Sequence, residues 1–436
     1  MKNNYSTNEF LRATRSKKLD KENSKKKRKK RSKNVPYSST NMRNLSYMSE
    51  RHSSIVTSKT CVRHCPKLFS LIEHPETTLE FISDIAQLGR SSSLRKIHLD
   101  HSSITCHDLG AEVLLGIAVK AVKSTAMTRN RKVLVRGSLP KSERKQRLIR
   151  SMGVIKQLDI EHENFVEDKL ELFDFVGQKS STVKYQDQDR KNQCTTKFVD
   201  HLNNCLSYSD KQLTEESIGQ LVNYLGEIIG NAEDHSGENK WYVCGYLDHV
   251  DENKESDDDD DNYHFCEIVI YNFGKSIAET FMELSHDSFT MKQVKPYIDA
   301  HEKSNFFSKT WDRSTLLTLI ALQGYVSSKN QNEDTDRGQG TVDLIEFFQS
   351  VSEERLPNSS KKARMAIISG DTHIYFDGTH RIKVDDTGKD VIAFNSSNDL
   401  SDKPDHKYVR KMKNVSFPGT IIAARFPISK RYTETA

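Results

Sequence analysis

The stretch LGEIIGNAEDHSGE, residues 225–238, decides how the rest of the chain is read. At ~100° per residue, Ile218, Leu221, Val222, Leu225, Ile228, Ile229 and Ala232 fall on one side of a helical wheel. Glu227, Asn231 and Asp234 fall on the opposite side, and Gln220 and Asn223 continue their stripe. The pattern predicts an amphipathic helix with a core face. Two readings of the polar stripe are open. One is a solvated surface. The other is a carboxylate and an amide held a turn apart to manage a metal ion and a water molecule.

Composition limits the choice. The 436 residues have room for two or three domains with sizeable cores. Hydrophobic content of 35% against 29% charged residues predicts that part of the chain is disordered. The net charge of +5 is unevenly spread. Residues 1–34 hold fourteen Lys and Arg against Glu9, Asp20 and Glu22, a balance of +11, which leaves about −6 for the remaining 402 residues. The block KKKRKKR at 25–31 repels itself, so residues 1–60 are expected to form a disordered basic tail. Such an arm either solubilises the protein or binds nucleic acid through counterion release, without base stacking, because no aromatic residue interrupts the run. No apolar run approaches the ~18 residues of a membrane span, and no signal-peptide core is present, which predicts a cytoplasmic protein without membrane contact. Seven scattered cysteines fit a reducing compartment. Cys61 and Cys65 flank His64 but have no second pair to complete a zinc site. Five successive aspartates at 257–261 read as a solvated insertion.

Residues 61–165 alternate between β-like and helical runs. KIHLDHSSI reads as a strand and loop, LGAEVLLGIAVKAVKS as an amphipathic helix, KVLVRGSLP as a strand with a turn, and KQRLIRSMGVIKQL as a helix. That order implies a parallel or mixed sheet with covering helices. It resembles the STAS domain of anti-sigma-factor antagonists over about seventy residues. The family's phosphorylatable Ser precedes a Gly at a helix start. Here Asp108 and Leu109 precede Gly110, so the hydroxyl is missing. The polar stretch 166–210 reads as a linker.

Downstream of the opening helix, three glycine turns follow in order. IYNFGKSIAETF places Asn272 and Gly274 between a strand and a helix. DRGQGTVDLIEFF places Gly338 and Gly340 before another helix, and FPGTIIAARFPI places Thr420 at the head of a C-terminal strand. Glycine turns that open helices can present backbone N–H groups to phosphate. ARMAIISGDTHIYF at 363–376 supplies two further strands. Together with Glu227-x3-Asn231-Ala232-x-Asp234, the set resembles the GHKL ATPases, the family of gyrase, MutL, histidine-kinase catalytic domains and anti-sigma-factor kinases. The resemblance covers residues 211–436 and implies an α/β sandwich of the Bergerat type.

On that resemblance Asn231 would hold Mg²⁺ between the phosphates of ATP, and Glu227 would position the attacking water. One amide oxygen plus phosphates suits a cation that keeps several of its waters. Asp234 would support the site, while His235 receives no catalytic role. Asn272 stands where the family has an Asp that accepts from the adenine amino group, above the turn shaped by Gly274. An Asn amide can accept, or turn over and donate, so selection of adenine is expected to be weaker. Residues 327–337 would form a lid, with Lys329 and Arg337 available for phosphate and Gly338 and Gly340 allowing close approach. Ile277 and Thr341 beside these turns, and Thr420 near the base, complete the expected nucleotide contacts.

The expected function is Mg²⁺-ATP binding, with hydrolysis switching partner interactions. A serine/threonine kinase of anti-sigma-factor type and a non-catalytic ATP-gated interaction module are the alternatives. A histidine kinase acting in cis is disfavoured, because no His-Glu-x-x-Asn/Thr-Pro segment occurs. The protein partner stays unnamed, and a homodimer is left open.

Overall fold

The computed structural model describes residues 44–51, 56–142, 145–146, 149–150, 172–178, 184–235, 237–238, 240–248, 264–303, 311–324, 326, 339–352, 363–386, 388–428 and 431–436. Residues 1–43, the expected lid at 327–337, the aspartate run and most of the helix expected after residue 143 lie outside them.

The N-terminal unit runs β1 (Thr60–His64), α1 (Pro75–Gln87), β2 (Lys96–Asp100), α2 (Leu109–Thr128) and β3 (Leu134–Ser138). Its strands pair in parallel in the order β1-β2-β3, with Ile97 opposite both Cys61 and Val135. Parallel neighbours need crossovers, and α1 and α2 supply them, packed side by side. Pro75 opens α1 at a position where its missing N–H has no intrahelical partner to lose. The N-cap of α2 is Asp108, whose Oδ1 accepts from the Ala111 N–H at 2.8 Å.

The larger unit runs β4 (Phe173–Gln178), α3 (Lys184–Leu206), α4 (Glu215–His235), β5 (Lys240–Asp248), β6 (His264–Phe273), α5 (Ile277–Met282), α6 (Phe289–Lys303), α7 (Arg313–Ile320), α8 (Gln339–Ser352), β7 (Arg364–Gly370), β8 (Thr372–Phe376), β9 (Val409–Lys411) and β10 (Phe417–Ile428). Seven strands form one sheet in the order β9-β8-β7-β10-β6-β5-β4, and every neighbouring pair is antiparallel.

Side-chain alternation makes this sheet two-faced. Val269, Tyr271 and Phe273 of β6, Ala366 and Ile368 of β7, and Ile421 and Ala423 of β10 share a core with α1, α2 and the small parallel sheet. Cys266, Ile268 and Ile270, Met365 and Ile367, and Ala424 and Phe426 face the other way, onto α3, α4 and α8. The layers are therefore small sheet, helices, large sheet, helices. All ten residues of β6 are buried, as expected of a strand covered on both faces. The opening helix behaves as its periodicity predicts. Leu221, Leu225, Ile228 and Ile229 are buried against the sheet, while Asn223 and Glu227 are exposed.

Three expectations change. The stretch 166–210 is not only a connection. β4 is the edge strand of the large sheet, and Cys194, Phe198, Leu202 and Leu206 of α3 are buried in its core. The basic tail does not extend to residue 60. Leu45 and Met48 are buried, Ser49 bridges Val415, and the Gln87 amide donates to the Ser46 carbonyl at 3.1 Å. α2 is not amphipathic in its first turns, where Leu109 to Gly116 are all buried. A helix packed between two sheets has no solvent face to make polar.

Candidate functional site

Three central strands of the large sheet carry one polar side chain each at the same level. Ser369 of β7 lies opposite Thr420 of β10, and Thr420 lies opposite Asn272 of β6. This polar rung lies on the side of the sheet covered by α4. The Ser369 and Thr420 hydroxyls are 2.8 Å apart, and the Ile277 N–H donates to Ser369 Oγ at 2.8 Å. The Thr420 N–H donates to Asn272 Oδ1 at 3.3 Å, and Asn272 Nδ2 donates to the Ala232 carbonyl at 3.4 Å. The rung thus ties the end of α4 to the start of α5.

Local backbone chemistry explains how the strands meet there. The β7–β10 register shifts between Ser369 and Gly370, so β10 bulges over Pro418 and Gly419. Gly419 has φ +130°, and a Cβ on it would lie 2.1 Å from the Asn272 carbonyl oxygen. Only glycine fits that approach. The Gly274 N–H donates to the Pro418 carbonyl at 3.1 Å, locking the turn after β6 to the bulge. Ser276 then caps α5 through a reciprocal capping box with Glu279.

The sequence-predicted residues fall into three groups. Asn272, Gly274, Ile277 and Thr420 converge through the bonds just described. Asn231, half-buried, precedes the Ala232 carbonyl in the chain, and Glu227 stands exposed one turn earlier on α4. Asp234 lies on the last turn of α4, its side chain outside the described residues. Gly340 and Thr341 open α8, which packs along α4 through Tyr224 and Phe347, ring centroids 4.0 Å apart. Lys329, Arg337 and Gly338 lie outside the described residues.

Two side chains of the site region escaped the sequence reading. Ser369 closes the rung; its only signal is a small hydroxyl residue ending the apolar run MAIIS before a glycine. Glu233 is buried between the two faces of α4. Its Oε1 accepts from the Trp241 indole N–H at 2.7 Å, and its Oε2 lies 3.0 Å from Lys191 Nζ. That contact fixes α4 against β5 and α3, and with it the direction of the Asn231 turn.

The arrangement offers a neutral hydrogen-bonding floor with an exposed carboxylate on the adjoining helix. Among the described residues no group of three or more His, Cys, Asp or Glu could hold a metal ion. A cation that keeps most of its waters and takes one amide oxygen plus ligand phosphates needs no such group, and half-exposed Asn231 fits that demand. A cavity of about 30 Å³ between α4, α8 and the sheet, lined by Leu221, Tyr224, Ile268, Leu344, Phe348 and Ile422, is wholly apolar and too small for a nucleotide base.

The start of α2 forms a second polar cluster. Asp108 Oδ2 accepts from the Ser70 hydroxyl at 2.6 Å and the Ile72 N–H at 3.0 Å. The Leu109 N–H donates to Glu267 Oε2 of β6 at 2.8 Å. The start of α2 is thus buried against the large sheet. Comparison with known proteins gives no matching family model, no curated relative and no similar solved structure.

Proposed function

We propose that the chain is a Mg²⁺-nucleotide-binding protein of GHKL type, with ATP the nucleotide the resemblance implies, joined to an STAS-like unit. One observation supports this reading most. Segments far apart in sequence, at 232, 272–277, 369 and 420, meet at one end of α4 through named hydrogen bonds, beside Asn231. A polar helix stripe that served only solvation would not need a polar rung beneath its end.

In this reading Asn231 supplies an amide oxygen to Mg²⁺, which would neutralise the phosphates. Glu227 orients a water for in-line attack, and the rung carries the base. The closed surroundings of Asp108 and Leu109 speak against phosphorylation at the α2 start by this molecule's own nucleotide site. A kinase acting on another protein and an ATP-gated module are the alternative outcomes of the same assay. Purified protein is given nucleotide and Mg²⁺, and released phosphate, phosphorylated protein or neither is recorded. Asn231→Ala is expected to weaken Mg²⁺-dependent binding at least tenfold, a loss of ~1.4 kcal/mol. Glu227→Ala is expected to keep binding and lose turnover. Turnover by Glu227→Ala at the wild-type rate would remove Glu227 from the mechanism.

The cytoplasmic setting belongs to the same proposal; among the described residues no helix is long and apolar enough to cross a membrane. Nucleic acid as a partner of the basic arm, a protein partner and a homodimer are carried as proposals with it.

A further inference from the structure

One end of the small parallel sheet is basic throughout. The strands begin side by side there: the Lys59 carbonyl accepts from the Arg95 and Lys96 N–H groups at 2.8 and 3.0 Å, and the Arg95 carbonyl accepts from the Leu134 N–H at 2.8 Å. The chain leaving α1 meets the chain leaving α2 at the same place. Arg129 Nη1 donates to the Gly89 and Arg90 carbonyls at 3.4 Å, and Arg131 Nη1 donates to those of Ser91 and Ser92 at 2.9 Å. The segments that build this end, 56–60, 88–96 and 123–136, hold nine Lys and Arg and no Asp or Glu.

Backbone carbonyls gather the guanidiniums without cancelling their charge. Arg95 Nη1 also donates to this loop, to the Ser92, Ser93 and Leu94 carbonyls at 3.0 to 3.2 Å. A guanidinium has five N–H donors, and these contacts use Nη1 alone, which leaves Nε and Nη2 as an ordered fork for an anion. Burial first, and then the charges of Arg129 and Arg95, hold Arg131 below its ordinary range. The acids of the last turns of α1, Glu80 and Asp84, are engaged by Arg51 and Arg63. Among the described residues no carboxylate pairs with Lys59, Arg90, Arg95, Arg129, Arg131 or Lys132. One cation would suffice to cap the last carbonyls of α1. Three clustered arginines exceed that need.

An aromatic ring stands at the edge of the cluster. The Arg90 guanidinium lies 5.0 Å from the centroid of the Tyr47 ring. Tyr47 is 65% exposed although its neighbours Leu45, Ser46 and Met48 are buried. Ordered cations beside an exposed ring suit a strand that offers both phosphates and the face of a base. A duplex keeps its base faces stacked on one another. The block KKKRKKR ends at residue 31, 16 residues before Tyr47, so the arm is tethered beside the same surface.

We propose that this end of the small sheet binds single-stranded nucleic acid, with phosphates on the Arg90, Arg95, Arg129 and Arg131 guanidiniums and a base on Tyr47. The site belongs to the folded body and does not rest on the nucleotide reading. The arm extends the contact along the same strand.

The test uses the full-length protein and a labelled DNA single strand of mixed sequence, titrated at several salt concentrations. The matching duplex and phosphatidylserine vesicles are the comparison probes. Wild-type protein is expected to bind the single strand at least about fivefold more tightly than the duplex, the gain from one stacked base. Arg90→Gln, Arg129→Gln and Lys132→Gln together neutralise three exposed cations of the patch. They should weaken single-strand binding at least about tenfold near physiological salt and lower the salt slope by about 2, at ~0.7 per lost phosphate contact. Lys292→Gln, Lys383→Gln and Lys403→Gln remove the same charge from exposed positions of the larger unit and should change affinity by about twofold or less. Tyr47→Leu should weaken binding of the single strand and leave binding of the duplex unchanged. Melting curves run beside the titrations show that the variants are folded. Wild-type protein that binds the duplex or the vesicles more tightly than the single strand would overturn the proposal, and this comparison needs no variant. Equal losses in the two triple variants would also overturn it. Undiminished binding by the patch variant would overturn it and leave the arm as the site.

Discussion

Glu112 has no solvent contact, and neither of its carboxyl oxygens has a hydrogen-bond partner. Burial first, and then the nearby Asp108, push its carboxyl up from an ordinary 4.5 to about 8. His101 Nε2 lies 3.7 Å from Glu112 Oε1, and burial holds the imidazole down at about 4 against the pull of Asp100. At neutral pH the pair is two neutral groups in contact and not an ion pair. A carboxyl raised in the folded state favours folding most below its unfolded value, and the benefit is lost as pH rises through the folded value. Stability is therefore expected to fall between about pH 4.5 and about pH 8 on account of Glu112. His101 acts oppositely, lowering stability as pH drops from 6.5 towards 4. Glu112→Gln keeps the shape and cannot ionise. Melting temperatures should slope downward between pH 6.5 and 8 for the wild type and stay flat there in the variant, whereas between pH 5 and 6.5 the opposing effects of Glu112 and His101 offset each other in the wild type. Equal slopes would mean that Glu112 is ionised in the folded protein.

At the scale of elements, the start of α2 joins the two units. Asp108 satisfies three donors, on Ser70, Ile72 and Ala111, inside a closed contact with β6. Asp108→Ala removes a helix cap and strands buried N–H groups, which together cost about 3 kcal/mol. Chemical denaturation should show that loss, and Asp108→Asn should recover part of it because its amide oxygen can still accept from Ala111. A second element-scale prediction concerns the bulge of β10. Gly419→Ala drives a Cβ into the Asn272 carbonyl and should loosen nucleotide binding as well as stability, read by titration beside a melting curve. The same scale shows what the sequence made legible. α4 was readable because seven apolar residues keep a helical period while its polar residues share one side. Asn272 and Gly274 stood out because they mark the end of β6 and the turn after it, and Thr420 because it follows a glycine near the start of β10. α3 was hidden by its polar first half, since only its later turns carry the apolar stripe of Phe198, Leu202 and Leu206. α2 misled because Lys120 and Lys123 suggest a wet face, whereas the preceding turns lie between two sheets. Ser369 and Glu233 gave no periodic signal. Their roles come from partners 51 and 8 residues away.

At the scale of the molecule, the net charge of +5 conceals a basic arm on an acidic body. Deleting residues 1–34 should leave the melting temperature unchanged, because a block of like charge contributes nothing to a packed core. Deleting residues 1–50 should lower it by several degrees, because Leu45 and Met48 are each buried and each contribute about 2 kcal/mol. If the arm binds nucleic acid, affinity should fall steeply with salt and disappear in the shorter deletion. Equal retention of nucleic acid by both forms would discard that role.

The large sheet has one lining that faces α4 and another that faces α2, and both are mainly apolar, the first ending in the polar rung. The second lining is completed by a different part of the chain, so heat should melt the protein in a single calorimetric transition and not in two. The same lining constrains ancestry. A recombination event that cut between residues 138 and 173 would give each daughter protein an oily surface with nothing to cover it. Such halves would cling to one another or to strangers. The seam is thus a poor place to cut the chain, and neither unit is expected to stay dispersed in water without the other.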